Sequence, residues 1–297
     1  LTQQSIKEPL EVFLNRLPSK ILINFARKHK KSFDLKSHSP REELISQILQ
    51  KVPEEIILQD LYAPYGWAGD VTIHLFQIVG SKLNEIFKES RLTDVLKSFN
   101  FKRRLTELPE PVDMTLSDNE IRIRHEFLGE PIVYQDPSTY KLQTIRPLKI
   151  AFSIIHLPTG FTELRVRERV YALNAIKLLK RYFKGDYKIL SFTRDNLAQW
   201  IDWATTLRNA RFKPTGPIST LYMGAKEWVD LRKIELFKEW WKKGERIEGI
   251  YIKFEYSSKE ELGFGINAKV GKIMFRTFAS EEEIKLVINQ GRSILGL

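Results

Sequence analysis

Arg165, Arg167 and Arg169 follow one another at two-residue spacing, and Lys177, Lys180, Arg181 and Lys184 follow at i, i+3, i+4, i+7. At their ordinary pKa values these side chains are all protonated near neutral pH. They donate hydrogen bonds and attract negative charge. On a regular strand, period two puts three guanidiniums on one face about 6.5–7 Å apart, close to the phosphate spacing of a nucleic-acid backbone. On a helix, the second set forms one cationic edge, beside an apolar stripe of Ala172, Ala175, Ile176, Leu179 and Phe183. From Lys141 to Lys184, a stretch that includes Lys149, there are ten Lys or Arg against two acids, Glu163 and Glu168, giving +8 of a formal net charge of +11. The chemistry this predicts is polyanion binding, with DNA as the favoured partner.

The elements that must position these residues can be read around them. LKIAFSIIH and FTELRVRER are strand-like runs joined by LPTG, a turn carrying Pro158 and Gly160, and a helix follows. Upstream, the first hundred residues read as helices. Pro9 lies near a first helical turn, Ser19 caps a second helix, and Ser39-Pro40-Arg41-Glu42-Glu43 gives a cap, Pro at the first position and an acidic first turn. A long amphipathic helix is expected from Val71 to Glu89 and a shorter one to Phe99, the helical domain ending near Lys102-Arg103-Arg104. Leu108 to Asp118 reads as a linker. EIRIRHEF, PIVY and KILSF read as strands, and Thr193 to Leu207 as a helix capped by Thr193. Arg211 to Ser219 is a turn-rich joint. An aromatic helix from Trp228 to Trp241 precedes the strands GIYIKFEY, LGFGINAKV and KIMFRTF, and Ser280 opens a last helix with an acidic first turn. The expected class is α+β, with a helical domain over 1–105, a mixed α/β DNA-binding domain over 106–213 and a small antiparallel sheet with a helix over 214–297.

Composition narrows the function classes. The chain has 297 residues and 42% hydrophobic content, enough for a sizeable core. It has no cysteine, which excludes disulfides, thiolate metal sites and cysteine nucleophiles. No apolar run reaches the roughly 20 residues needed to span a bilayer, and no signal peptide is apparent. The expectation is a soluble intracellular protein. His29, His38, His74, His125 and His156 show no ligand spacing and read as structural. Gly263 and Gly265 open like a dinucleotide loop but lack its third glycine and helix, so a strand bulge is expected. Trp200/Trp203 and Trp240/Trp241 read as core aromatics. Glu163, Glu168, Glu248 and Lys253 are the nearest thing to a magnesium-dependent nuclease site. Arg16, Lys20, Arg27, Lys28, Lys30, Lys31 and Arg41 make a second basic patch, on the helical part. No metal ion or cofactor is expected.

Four stretches carry a resemblance: LNRLPSKILINFARKH with SPREELISQIL, LQDLYAPYGWAGDVTIHLFQIV, LKIAFSIIHLPTGFTELRVRERVYALNAIKLL, and GKIMFRTFASEEEIKLVINQ. In order and pattern they resemble the centromere protein N (CENP-N) family of the inner kinetochore. The resemblance implies a pyrin-like helical start and a non-enzymatic binder of DNA and nucleosomes, its groove built by the first and middle domains. It places Arg16, Arg41, the pair Arg167 and Arg169, and Arg194 among the DNA contacts. It also implies that the carboxy-terminal sheet pairs with a CENP-L-like partner or with a second copy. A basic contact of the family falls at Asp70, and of two acidic histone-reading positions one matches Glu8 while the other is Val12. The implied location is the nucleus at the centromere, or the nucleoid or cytoplasm for an archaeal source. A protein-interaction scaffold and a nuclease are the alternatives.

Overall fold

The computed structural model describes residues 9–68, 72–80, 106–117, 119–135, 141–183, 185–226, 229–255 and 261–297. The chain is α+β and divides into two compact units, Leu1–Gly69 with Phe278–Asn289, and Asp70–Thr277 with Gln290–Leu297.

In the first unit, α1 (Leu10–Arg16), α2 (Ser19–Phe33), α3 (Arg41–Lys51) and α4 (Glu54–Ile57) begin directly after Pro9, Pro18, Pro40 and Pro53. Each proline carbonyl accepts a first-turn helical bond, and a proline there sacrifices no N–H that the helix would use. Pro18 and Pro40 therefore hold the cap positions expected of Ser19 and Ser39, and Ser39 accepts a bond from Gln47 instead. α4 continues through a π-helical turn, Leu58–Tyr62, into α5 (Ala63–Tyr65). Phe13, Leu14, Leu22, Phe25, Leu44 and Ile48 form the core, and none is more than 4% exposed.

The second unit is built on one eleven-stranded antiparallel sheet. Its strands are β1 (Thr72–Val79), β2 (Glu110–Leu116), β3 (Glu120–Leu128), β6 (Leu148–His156), β7 (Phe161–Arg165), β8 (Asp186–Ile189), β9 (Thr206–Lys213), β10 (Leu221–Gly224), β11 (Arg246–Glu255), β12 (Glu261–Asn267) and β13 (Lys272–Phe275). The order is β10-β9-β11-β12-β13-β1-β7-β6-β3-β2, with β8 also pairing β1. A separate hairpin pairs β4 (Ile132–Gln135) with β5 (Leu142–Ile145). The helices of this part are α6 (Arg169–Phe183), α7 (Arg194–Trp203) and α8 (Glu235–Lys242), and the last helix, α9 (Glu281–Leu295), runs from the first unit into the second.

Several sequence-based expectations are corrected. The run from Val71 expected as a helix is the central strand β1. Its residues from Thr72 to Phe76 are buried on both faces, so the apolar pattern is continuous and loses the period that would mark a strand. Residues 81–105 of that run lie outside the described residues. The expected linker holds β2, and the turn-rich joint begins inside β9. The boundary drawn at 213/214 falls within one sheet, because β11 pairs β9. No register shift marks Gly263 or Gly265, which lie in regular pairing with β11. A Cβ at Gly263 would sit 2.1 Å from the Tyr251 hydroxyl, so a larger residue there requires that ring to move.

The β6–β7 hairpin and the following helix both form, but β7 stops at Arg165 and the helix already begins at Arg169, so the strand expected to run through FTELRVRER is cut short. Gly160, in the turn, has φ 66, and a Cβ there would lie 2.2 Å from the Ile78 carbonyl oxygen. α6 buries its predicted stripe, Ala172, Ala175, Ile176, Leu179 and Phe183, against Phe76, Ile123 and Phe127. Each large apolar side chain so buried contributes roughly 1.5–3 kcal/mol. α7 carries a full capping box between Thr193 and Asn196 but ends at Trp203 rather than Leu207, because β9 begins at Thr206. Ser280 and Glu283 cap α9 in the same reciprocal way. Trp200 is fully buried in the core, while Trp203 is half-buried and stacks on the half-buried Phe254 at 3.9 Å.

Candidate nucleic-acid interface

α6 sorts its residues as an amphipathic helix must. With its apolar stripe packed on the sheet, Lys177, Lys180 and Arg181 are left exposed along the outer side. They line two shallow surface concavities, one completed by Gly185 and the other by Leu108, Pro109 and Glu110. Lys180 also pairs with Asp186 at 2.9 Å. That bond, and the backbone N–H of Tyr187, hold the Asp186 carboxyl below its usual value. Lys188, which sequence reasoning passed over, is exposed two residues beyond Asp186 on β8. Lys184 lies outside the described residues.

The three arginines do not share a strand face. β7 ends at Arg165, which is fully buried and donates twice to the Glu163 carboxylate, at 2.7 and 3.0 Å. Arg165 is thereby removed from the candidate DNA contacts. Arg167 is exposed in the bend that follows, and Arg169 opens α6, half-buried. Lys149 is half-buried too, its stem against Gly129.

Glu163 is held by a second partner. His156 Nε2 donates to its other oxygen at 3.0 Å, and Arg292 reaches His156 Nδ1 at 3.4 Å. Burial alone would raise the Glu163 pKa, but the Arg165 charge and the His156 bond outweigh it and bring it to about 2. This carboxylate is a structural counter-ion. Of the other residues weighed for a nuclease, Glu248 pairs with Arg211 and Lys253 with Glu261. Among the described residues, no three His, Asp or Glu side chains converge to hold a metal ion.

Two buried histidines are likewise structural. His125 Nδ1 donates to the Pro109 carbonyl, which leaves Nε2 to accept from Ser153 at 2.7 Å, so the ring is neutral. Burial takes its pKa down to about 4 against the pull of that carbonyl. His74 is brought to about 4 by burial and the Lys272 charge.

In the first unit, two cations implied by the family resemblance are committed to the fold. Arg41 donates to the carbonyls of Leu14, Asn15 and Leu17, the last at 2.7 Å, and to Ser19 Oγ, closing the end of α1. Arg16 donates to Gly66 O at 2.7 Å and lies over the Phe13 ring. In the second unit, Arg194 bonds the Trp241 carbonyl and lies over its ring. A spacing argument cannot see such hydrogen bonds, because their partners lie 22 to 50 residues away in sequence.

The second basic patch fares differently. α2 carries five Lys or Arg and no acid over its 15 residues. Lys20, Arg27, Lys28, Lys30 and Lys31 are all exposed. Lys28 and His29 both reach Asp60, at 2.6 and 2.7 Å, and hold its carboxyl below the usual range. Lys20, Arg27 and Lys31 follow at i, i+7, i+11 and so share one line along the helix. Glu8 and Asp70, named in the family comparison, lie outside the described residues, and Val12 is half-buried on α1. Set against known proteins, the chain matches no family model and no curated protein sequence.

Proposed function

We propose that this chain is a non-enzymatic DNA-binding protein that holds the phosphate backbone through two exposed cationic helix faces. One is Lys177, Lys180 and Arg181 on α6, with Arg167 at the approach to the helix. The other is Lys20, Arg27, Lys30 and Lys31 on α2. The observation that carries the reading is α2, an acid-free helix whose five cations are all exposed while its apolar side is buried. Lone surface cations are usually balanced by neighbouring acids, and a face with so few suits a polyanion. Backbone contact positions a protein on DNA without reading bases, so sequence preference is weak. The resemblance to the CENP-N family extends the reading to nucleosomal DNA at a centromere. It also offers the sheet's edge at β10 to a CENP-L-like partner or a second copy.

The test is duplex binding by anisotropy across a salt series. Replacing Lys177, Lys180 and Arg181 together by alanine flattens the slope of log K against log salt by about 2.7, at 0.9 per lost phosphate contact. Replacing Lys20, Arg27 and Lys31 does the same. Slopes unchanged in both folded variants count against the reading.

A protein-interaction scaffold is the second reading, and one observation favours it. The β4–β5 hairpin exposes Ile132, Val133, Leu142 and Ile145 by 47–74%, and a two-stranded sheet is marginal in water unless something packs on it. Light scattering of the DNA-free protein that shows a stable dimer, without DNA affinity, would favour the scaffold.

A further inference from the structure

The sheet face covered by α6 at one end is open at the other. There, pairing puts Tyr222, Arg211, Gly249 and Asn267 in one cross-strand row. Asn209, Tyr251, Gly265 and Met274 make the next. These rows line a groove of about 350 Å³, at the small end of the range for ligand sites. Gly249 and Gly265 leave its floor as bare backbone. Arg276 lies 3.9 Å from the centre of the Tyr251 ring, and Tyr222, on the edge strand, is 63% exposed. Two polar atoms here lack a hydrogen-bond partner, Asn267 Oδ1 and Arg211 Nε, both buried. Arg211 Nε has the Glu248 carboxylate 3.5 Å away, and Asn267 Oδ1 is the acceptor left over. A buried acceptor of this kind calls for a donor.

We propose that this groove holds an unpaired nucleotide of a single-stranded nucleic acid. Its base lies flat over the glycine floor between Tyr222 and Tyr251 and gives an edge N–H to Asn267, while the backbone phosphate meets Arg276 and Arg211. A flat floor suits a flat ring. Aromatic side chains beside it give stacking that any base can use, and arginines at the rim suit the phosphate. A paired base is stacked inside its duplex and cannot reach the floor, so the occupant is a single strand. The partner chemistry is also balanced in charge. Lys272 lies on β13 and Arg276 just beyond its end, while Arg211 and Lys253 are each paired with an acid, Glu248 and Glu261. The inference does not need the duplex-binding faces on α2 and α6.

The test uses the full chain and a labelled ten-residue oligothymidylate, with a duplex of equal length, AMP and polyglutamate as the other arms. Two variants probe the groove. Tyr222→Ala removes an exposed ring at the sheet edge. Gly265→Val fills the floor, where a Cβ meets its nearest neighbour, Met274 Cε, at an ordinary 3.5 Å. The proposal expects each to weaken single-strand binding roughly 5- to 150-fold, the range for one lost base stack, with duplex binding unchanged. Replacing Lys177, Lys180 and Arg181 should lower duplex binding and leave those ratios intact, which separates this site from the duplex reading. The proposal is overturned if wild type does not bind the oligothymidylate, or if both folded variants bind it normally. It is equally overturned if AMP matches the strand's affinity, or if polyglutamate competes as well as the strand.

Discussion

Replacing Arg165 by methionine should destabilise the second unit while leaving the salt slope of DNA binding unchanged. The side chains of Arg165 and Glu163 are 1% and 3% exposed. Removing the guanidinium leaves a buried carboxylate with His156 as its remaining neighbour in this network. Breaking a buried pair in this way typically costs about 3–5 kcal/mol. For a unit of this size each kcal/mol shifts Tm by about 2–4 °C, so the loss is roughly 6–20 °C. The pH dependence has a definite sign. In wild type the Glu163 pKa is depressed to about 2, so its stabilisation is present above the unfolded carboxylate range near 4.5 and is lost as pH falls through 2. In the variant the uncompensated carboxylate has a raised pKa, so the deficit is greatest at neutral pH and shrinks as pH falls towards 4. Urea denaturation followed by tryptophan fluorescence, at pH 7 and pH 4.5, reads both effects. The double variant with Glu163→Gln should recover part of the loss. A single variant within 1 kcal/mol of wild type at pH 7 would refute the reasoning and return Arg165 to the surface.

Arg41→Ala should destabilise the first unit by about 2 kcal/mol, since charge-assisted bonds to carbonyls at the end of α1 are lost, while the salt slope of DNA binding stays unchanged. Wild-type stability should fall by about 1.4 kcal/mol per pH unit for each neutral buried histidine between pH 6.5 and 4, because His74 and His125 charge more readily when unfolded. Acid titration of a His125→Gln variant should show the flatter slope. Gly271→Ala should cost about 3 kcal/mol or more by chemical denaturation, because its φ is 55 and a Cβ would lie 1.7 Å from the Leu190 carbonyl oxygen.

Local signals were legible where local physics decides. The apolar stripe of α6, the turn at Gly160 and the caps at Thr193 and Ser280 each follow from residues within a few positions of one another. β1 was not legible, because burial on both faces erases its period. β9 and β2 were hidden by Pro214 and Gly216 in one case and Pro109 and Pro111 in the other, which sit at strand ends where breakers are tolerated. The site divides the same way. Helical spacing found Lys177, Lys180 and Arg181, and charge counting found the α2 face. Arg165, Arg41 and Arg194 looked equally cationic; burial removes Arg165 from the surface, and partner bonds to backbone carbonyls occupy the half-buried Arg41 and Arg194.

The most direct measurement is a side-by-side salt titration of wild-type affinity for free duplex DNA and for nucleosomes. With about 5–8 phosphates contacted, the log–log slope for duplex DNA should lie near −4.5 to −7, and affinity should fall by about 500-fold or more between 50 and 200 mM salt. Nucleosomes should show the same steep dependence. A slope near zero on both substrates, or no DNA binding at 50 mM salt by the folded protein, would contradict the account.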